Sequence, residues 1–219
     1  MRRSLAHVVA GLALAATSGS CAAAEASVVA SHVYAFRASL DGKPIGEHRF
    51  EVVADGTTRH VTSEADFSVK VIGIQVYHYH HHADERWDGD CLASLAATTD
   101  DDGKLASVRL AREGDGNRLT ANGAATVVPG CLMTYAYWNP AMRTQTRLLN
   151  PQTGQLDTVK VERAGNGTIP VGGKDVAATR WRITGGESPI DVWISEQGEW
   201  IGLDSIVSHG KRKLSYRLP

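Results

Sequence analysis

The stretch YAFRASLDGKPIGEHRFEVVADG, residues 34–56, decides the fold of this chain. Apolar and polar residues alternate along its first half, which places Tyr34 and Phe36 on one face of an extended strand. The second half alternates in the same way. Between the halves lies Asp41-Gly42-Lys43-Pro44, a turn sequence in which glycine supplies a positive φ and proline restricts its own. The stretch therefore predicts a β-hairpin.

The same alternation continues through the rest of the chain, with turn sequences at intervals of roughly 8–14 residues, as in antiparallel sheets. One short stretch, Asn139–Thr144, predicts a helical turn, because Pro140 suits the first helical position. We expect one all-β domain, a single antiparallel meander of about 11–12 strands curled into a barrel or half-barrel that removes exposed edges. Its later predicted strands include Leu105–Leu110, Arg118–Val128, Leu132–Trp138, Leu156–Glu162, Asp175–Ile183, Ile190–Ile194, Trp200–Val207 and Lys213–Leu218.

The first 26 residues, MRRSLAHVVAGLALAATSGSCAAAEA, predict a signal peptide. Two arginines precede an apolar stretch, Ala6–Ala16, which is shorter than the ~20 residues that a membrane span needs. We therefore expect a domain at 27–219 that is periplasmic or secreted and has no transmembrane segment. As an alternative, Cys21 follows small residues as in a bacterial lipoprotein signal, which would give lipidation and an anchor at a membrane.

Export also affects the interpretation of the two remaining cysteines, Cys91 and Cys131. In an oxidising compartment such a pair favours a disulfide over a metal site or a catalytic pair. The alternative is two buried free thiols that pack as small apolar side chains.

The charge balance argues against one class of partner. The chain has 23 basic and 24 acidic residues, a formal charge of −1, and loss of residues 1–24 with their two arginines changes it to −3. No basic stripe that could neutralise phosphates is present in the sequence, so we expect no nucleic acid partner.

The run YHYHHH, Tyr77–His82, is the most chemically suggestive stretch. On a strand, His78, His80 and His82 share one face, and imidazoles so spaced can bind zinc or copper. This predicts a candidate metal site. The alternative is a solvated strand face without a cofactor, with the tyrosines and His81 packed inward.

Tryptophans form the second candidate site. Trp87, Trp138 and Trp193 lie in or beside predicted strands, where they could line a barrel cavity that binds a lipid or other apolar small molecule. The alternative is that they fill the core. No Gly-x-Ser-x-Gly elbow or other catalytic motif is present, so no catalytic residue is named.

Several sequence motifs, given at the end of this paragraph, together resemble those of a family of uncharacterised exported bacterial β-proteins. That family carries a Leu-Asp-Gly-Lys-x-Ile-Gly-Glu hairpin near the mature N-terminus. The resemblance implies an envelope location and a curled antiparallel sheet, and it supplies no catalytic residues. The motifs are Tyr34-x-Phe36, Leu40–Glu47, Glu85-Arg86-Trp87-x-x-x-Cys91-Leu92, Tyr137-Trp138-Asn139-Pro140 and Asp191-Val192-Trp193-Ile194.

These observations favour a non-enzymatic envelope protein that binds an apolar ligand or supports another envelope component, such as a protein partner. Two alternatives stay open. One is a periplasmic metal-binding protein that uses the histidine run, and the other is an envelope hydrolase without a recognisable motif.

Overall fold

A computed structural model describes residues 29–207 and 210–219 of the chain. The predicted signal peptide and Cys21 lie outside the described residues. The strands are β1 Ala30–Leu40, β2 Lys43–Asp55, β3 Thr58–Val71, β4 Ile74–Asp88, β5 Cys91–Asp101, β6 Lys104–Glu113, β7 Gly116–Ala121, β8 Ala124–Pro129, β9 Arg147–Leu149, β10 Leu156–Thr158, β11 Lys160–Val171, β12 Lys174–Thr184, β13 Ile190–Ser195, β14 Trp200–Val207 and β15 Arg212–Arg217.

Thirteen of these strands form one antiparallel sheet whose first strand lies in its middle. There β1 pairs with the last strand, β15, with Ala38 opposite Tyr216. From this pair, β2 to β8 continue in order to one edge, and β14 back to β11 continue to the other. Within the described part of the chain β8 and β11 are the two edges, so the sheet is not closed.

The sheet curls around a main core to which both of its halves contribute, and a smaller cluster of Ile169, Ala178 and Ile201 lies apart from it. Phe36 of β1 contacts Trp200 of β14, with 4.3 Å between the ring centroids, and both side chains are fully buried. Such aromatic pairs contribute about 0.5–1.5 kcal/mol beyond the area they bury. The prediction of an all-β antiparallel sheet curled into a barrel or half-barrel is confirmed.

The chain between β8 and β11, residues 130–159, packs against the inner face of the sheet, and we call it the inner segment. It carries the short hairpin of β9 and β10 and a 3-10 helix at Pro140–Thr144. Buried Leu132, Met142 and Leu149 belong to the same core as the strands. The inner segment thus fills much of the space that the curled sheet surrounds.

Three strand predictions were wrong. Leu156–Glu162 divides at Val159, whose backbone N–H donates to the carbonyl of Thr146, so that β10 pairs with β9 and β11 pairs with β12. Arg118–Val128 is two strands, because Asn122 (φ 49°) and Gly123 (φ 85°) make a tight turn between β7 and β8. The predicted strand Leu132–Trp138 is irregular, since its apolar residues are buried against the inner face of the sheet rather than in a ladder. The predicted helical turn is confirmed, with Asn139 accepting a hydrogen bond from the backbone N–H of Ala141.

The predicted disulfide is present. Cys91, the first residue of β5, is bonded to Cys131 of the inner segment, with 5.0 Å between the Cα atoms. Next to it, the backbone N–H of Leu92 donates to the carbonyl of Leu132 at 2.8 Å. The covalent bond and the hydrogen bond hold the start of the inner segment against the sheet.

None of the helices that the structure describes has the length and the apolar character needed to cross a membrane.

Candidate ligand cavity

A cavity of about 270 Å³ opens on the inner face of the curled sheet. Inward-facing residues of β2, β3 and β4 line it, together with residues 134–138 of the inner segment and residues of β14 and β15. Two of its lining side chains, Gln152 and Glu187, are exposed to solvent and mark its opening. Apolar and polar side chains both contribute substantially to its lining. A concave space that combines apolar side chains with positioned polar groups is the usual form of a small-molecule site.

His48 of β2 joins two sides of this cavity through hydrogen bonds. Its Nε2 lies 2.8 Å from Oγ of Ser63 on β3, and its Nδ1 lies 3.2 Å from the hydroxyl of Tyr216 on β15. Burial, with a smaller contribution from His81, lowers the pKa of His48 to about 3. The imidazole is therefore neutral at physiological pH, and it can donate one hydrogen bond and accept the other.

His81 of β4 is the second buried imidazole, with only 2% of its surface exposed. Its Nδ1 lies 2.9 Å from Oγ1 of Thr99 on β5. Burial lowers the pKa of His81 to about 4, so this ring is also neutral. The interpretation that His81 packs inward, while its neighbours in the run face outward, is confirmed.

Glu85 of β4 is a buried carboxyl group on the same inner face, and it is 6% exposed. One of its carboxylate oxygens, Oε2, accepts a hydrogen bond from Nε1 of Trp87 at 2.9 Å and one from Oγ1 of Thr134 at 3.4 Å. Burial is the dominant influence and raises the pKa of Glu85 to about 7, although the two hydrogen bonds act in the opposite direction. The carboxyl group can therefore lose or gain a proton near neutral pH.

A second buried carboxylate, Asp157 of β10, also lines the cavity. It accepts a hydrogen bond from the hydroxyl of Tyr135 at 2.7 Å. Burial, followed by this carboxylate, raises the pKa of Tyr135, so its hydroxyl keeps its proton. His48 and Asp157, at two separate places in the lining, are thus each held by hydrogen bonds to residues outside their own strands.

Both the sequence and the fold of this chain are similar to those of known proteins. Residues 36–218 match the family described as domain of unknown function DUF6134. The chain belongs to this family. No curated protein matches the chain. A structure with a similar fold is that of the beta-barrel-like protein of domain of unknown function DUF1849 from Brucella abortus, with a TM-score of 0.61, 10% identity, and coverage of 89% of this chain and 98% of that chain. At this identity the likeness shows the fold alone.

The three tryptophans that the sequence suggested as ligand residues occupy three different positions in this DUF6134 domain. Trp138 lines the cavity, while Trp87 is fully buried behind it, with 5.4 Å between their ring centroids. Trp193 is on another face, where its Nε1 donates to Asp204 at 2.8 Å and its ring lies near Gly167. The cavity therefore involves one of the three directly and a second through Glu85.

The three candidate metal ligands of this DUF6134 domain share the outer face of β4, as the alternation predicted. His78 is paired with Asp102 at 3.2 Å and with Asp100 at 3.4 Å, and His80 lies 3.9 Å from Asp66. Among residues 29–207 and 210–219, no group of three or more histidine, cysteine or acidic side chains is placed to hold a metal ion. Zinc or copper binding by His78, His80 and His82 stays a prediction.

Sequence reasoning missed the polar residues of the cavity, although a signal for them was present. His48 alternates in register with Phe50, and Ser63 alternates with Val61, so the period-two pattern assigns both to the apolar faces of their strands. Glu85 similarly shares the face of His81. A polar residue at an inward position must find a partner or line a cavity, and this is the observation that would have pointed to the site.

Proposed function

We propose that this protein is an exported cell-envelope protein that binds a small, largely apolar molecule inside its curled sheet. The observation that carries the proposal is the cavity of about 270 Å³, whose aromatic lining is combined with positioned polar groups. Export rests on the pattern of residues 1–26, with a lipid anchor on Cys21 as the alternative to a free periplasmic or secreted domain. Cell fractionation and the mass of the mature N-terminus test this part.

Apolar side chains supply about half of the lining and can hold the apolar part of a ligand. Rings of Phe50, Tyr137 and Trp138 face the same space as the aliphatic side chain of Leu203. Burying apolar ligand surface against such side chains contributes about 25 cal/mol per Å². The polar groups of the lining, several of them fixed by hydrogen bonds to neighbouring elements, orient the ligand.

Filling the cavity tests the proposal. Ala83 lies on the inner face of β4 and lines the cavity, so Ala83→Leu should occupy ligand space. We expect it to weaken binding of the neutral apolar fluorescent probe N-phenyl-1-naphthylamine about tenfold or more. Since the new side chain enters empty space, the free energy of unfolding should change by less than about 1 kcal/mol.

Ala97 provides a matched control. It is directly opposite Ala83 on β5 and is also buried, but it does not line the cavity. Ala97→Leu should cost about 1–3 kcal/mol through overpacking and leave probe affinity unchanged. Absence of probe binding to the wild-type protein, or equal binding by wild type and Ala83→Leu, would contradict the binding function.

A second candidate function, hydrolysis, is favoured by one observation: the hydrogen bond between His48 and Ser63, which resembles a nucleophile with its base. Two features argue against it. The low pKa of His48 makes it a weak base, and the β2–β3 ladder at Ser63 leaves its backbone in a sheet rather than in an oxyanion hole. Ester hydrolysis that Ser63→Ala abolishes would establish this alternative.

A further inference from the structure

The charges that line the cavity have one sign. Three carboxyl groups line it, those of Glu85, Asp157 and Glu187, and among the described lining residues there is no lysine or arginine. The two lining imidazoles, His48 and His81, are neutral because burial lowers their pKa values. A low-dielectric space with acidic groups and no cation attracts positive charge and rejects negative charge.

The guanidinium of Arg59 lies next to a lining residue without lining the cavity itself. Arg59 is stacked on Trp138, 5.7 Å from the ring centroid. Its Nη1 donates to the carbonyl of Gly89 at 2.6 Å and lies 3.8 Å from the carboxylate of Asp90. Because these oxygens already face the guanidinium, Arg59 does not neutralise the carboxyl groups of the cavity.

Glu85 has an oxygen left over for a ligand. Both of its hydrogen bonds, from Trp87 and from Thr134, go to Oε2, and Oε1 has no partner among residues 29–207 and 210–219. In the same residues every fully buried side-chain nitrogen or oxygen has a partner. Oε1 is therefore not sealed inside protein and opens on the cavity that Glu85 lines. A carboxyl group so deeply buried and only half satisfied needs a further polar or charged contact.

Aromatic rings surround the same space. Phe50, Tyr135, Tyr137, Trp138 and Tyr216 all line it. The face of an aromatic ring attracts an ammonium group within about 6 Å of its centre, most strongly where water is excluded. Carboxylates combined with aromatic faces are the chemistry that recognises organic ammonium ions, whereas an aromatic lining by itself would accept neutral molecules equally well.

We propose that the ligand of this cavity is an organic cation, an apolar body that carries a protonated amine or quaternary ammonium group, which is held by Glu85 and the surrounding aromatic rings. This inference rests on the proposed binding function. It adds a charge and a partner for that charge, and it places the apolar body of the ligand against the aliphatic and aromatic lining. Asp157 and Glu187 add to the negative potential at a distance.

Two isosteric competitors test the charge of the ligand. Trimethyl(2-phenylethyl)ammonium and its neutral carbon analogue, (3,3-dimethylbutyl)benzene, differ in little but charge. Each is used to displace N-phenyl-1-naphthylamine from the wild-type protein at about pH 8, where Glu85 is ionised. We expect the cation to displace the probe at a concentration at least about tenfold lower than the neutral analogue.

The variant Glu85→Gln assigns this preference to one group. Glutamine has the same size and still accepts from Trp87 and Thr134, so the variant should fold and bind the neutral analogue as the wild type does. Its preference for the cation should fall to about onefold to threefold. The control Glu64→Gln removes the same charge from the outer face of β3, where the side chain is exposed, and should leave the preference intact.

The outcomes separate this inference from the function on which it rests. If the wild-type protein binds the probe but shows no preference for the cation, or if Glu85→Gln keeps the full preference, the cation inference is wrong and the binding function stands. If the wild-type protein does not bind the probe, the binding function fails and this inference fails with it. The wild-type comparison needs no variant, so an unfolded Glu85→Gln protein would not leave the question open.

Discussion

Three buried residues of the inner face, His48, His81 and Glu85, show how burial controls charge in this protein. Each has a pKa displaced toward its neutral form, to about 3, about 4 and about 7 respectively. Desolvation is the first cause in all three cases. The cavity can therefore remain within an apolar core at neutral pH, with at most one partly ionised group among the three.

The displaced pKa of Glu85 predicts a pH-dependent stability difference between the wild-type protein and Glu85→Gln. Its carboxyl group titrates near 4.5 in the unfolded chain and near 7 in the folded protein, so the folded state binds more protons between these values. Its contribution to the free energy of unfolding is fully present below about pH 4.5 and is lost as the pH rises through about 7. The loss amounts to at most about 3 kcal/mol.

We expect Glu85→Gln to become more stable relative to the wild type as the pH rises from 4.5 to 8, measured by urea unfolding at each pH. The comparison of variants is needed because the lowered pKa values of His48 and His81 act oppositely, removing stability as the pH falls below about 6.5. The neighbouring carboxylate of Asp84 contributes in the same direction as burial and raises the pKa of Glu85. A difference independent of pH would show that Glu85 titrates normally.

At the scale of elements, the hairpin of β1 and β2 explains two glycines of the Leu-Asp-Gly-Lys-x-Ile-Gly-Glu sequence. Asp41 and Gly42 both have positive φ, 51° and 77°, and make the turn. The carboxylate of Asp41 also accepts from the backbone N–H of Lys213 at 2.8 Å, which ties the turn to β15. Gly46 has a different role: a Cβ atom there would lie 1.9 Å from the carbonyl oxygen of Asp66 on β3.

This difference predicts unequal costs for the same substitution. Gly46→Ala must displace β3 or distort β2, so we expect a loss of about 2 kcal/mol or more in the free energy of unfolding. Gly42→Ala has no atom within 4 Å of the new Cβ and should cost only the strain of its positive φ, about 1 kcal/mol. Urea unfolding of both variants measures the difference. Equal costs would show that β3 does not approach Gly46 so closely.

At the scale of the whole molecule, the inner segment is what converts a curled sheet into a filled core with a cavity. Residues 134–138 supply part of the cavity lining, and Thr134 donates to Glu85 on β4. The disulfide from Cys91 to Cys131 fixes the start of this segment. The stability of the fold and the shape of the cavity therefore depend on the same connection.

Removal of the disulfide should affect both properties. The Cys91→Ser, Cys131→Ser double variant should lose about 3–4 kcal/mol of unfolding free energy, the loop-closure value for 40 residues. The affinity for N-phenyl-1-naphthylamine should fall as well, since the cavity wall follows directly after Cys131. Wild-type protein kept in reductant should behave like the double variant. Unchanged affinity in both would show that the sheet alone shapes the cavity.

Local patterns in the sequence predict much of the architecture. Period-two alternation correctly placed Tyr34 and Phe36 together on the inner face. It also placed His78, His80 and His82 together on one face of β4, since successive side chains of a strand point to opposite faces. The same pattern failed at Leu132–Trp138, because an apolar run that packs against a sheet without joining it has the composition of a strand. The pattern also failed at Asn122-Gly123, a dipeptide typical of tight hairpin turns, which divides the predicted strand Arg118–Val128.

The sequence by itself determined the class of fold, the faces of most strands and the helical turn at Asn139–Thr144, because these depend on neighbours along the chain. It also determined the disulfide, because Cys91 and Cys131 are the two cysteines that remain after the predicted signal peptide. Only the tertiary structure decided the cavity. His48 and Tyr216 are 168 residues apart and meet because β1 pairs with β15, and Glu85 meets Thr134 because the inner segment packs into the curl. Alternation specifies which face a residue occupies, whereas long-range strand pairing specifies which residues share that face, and no local pattern encodes the pairing.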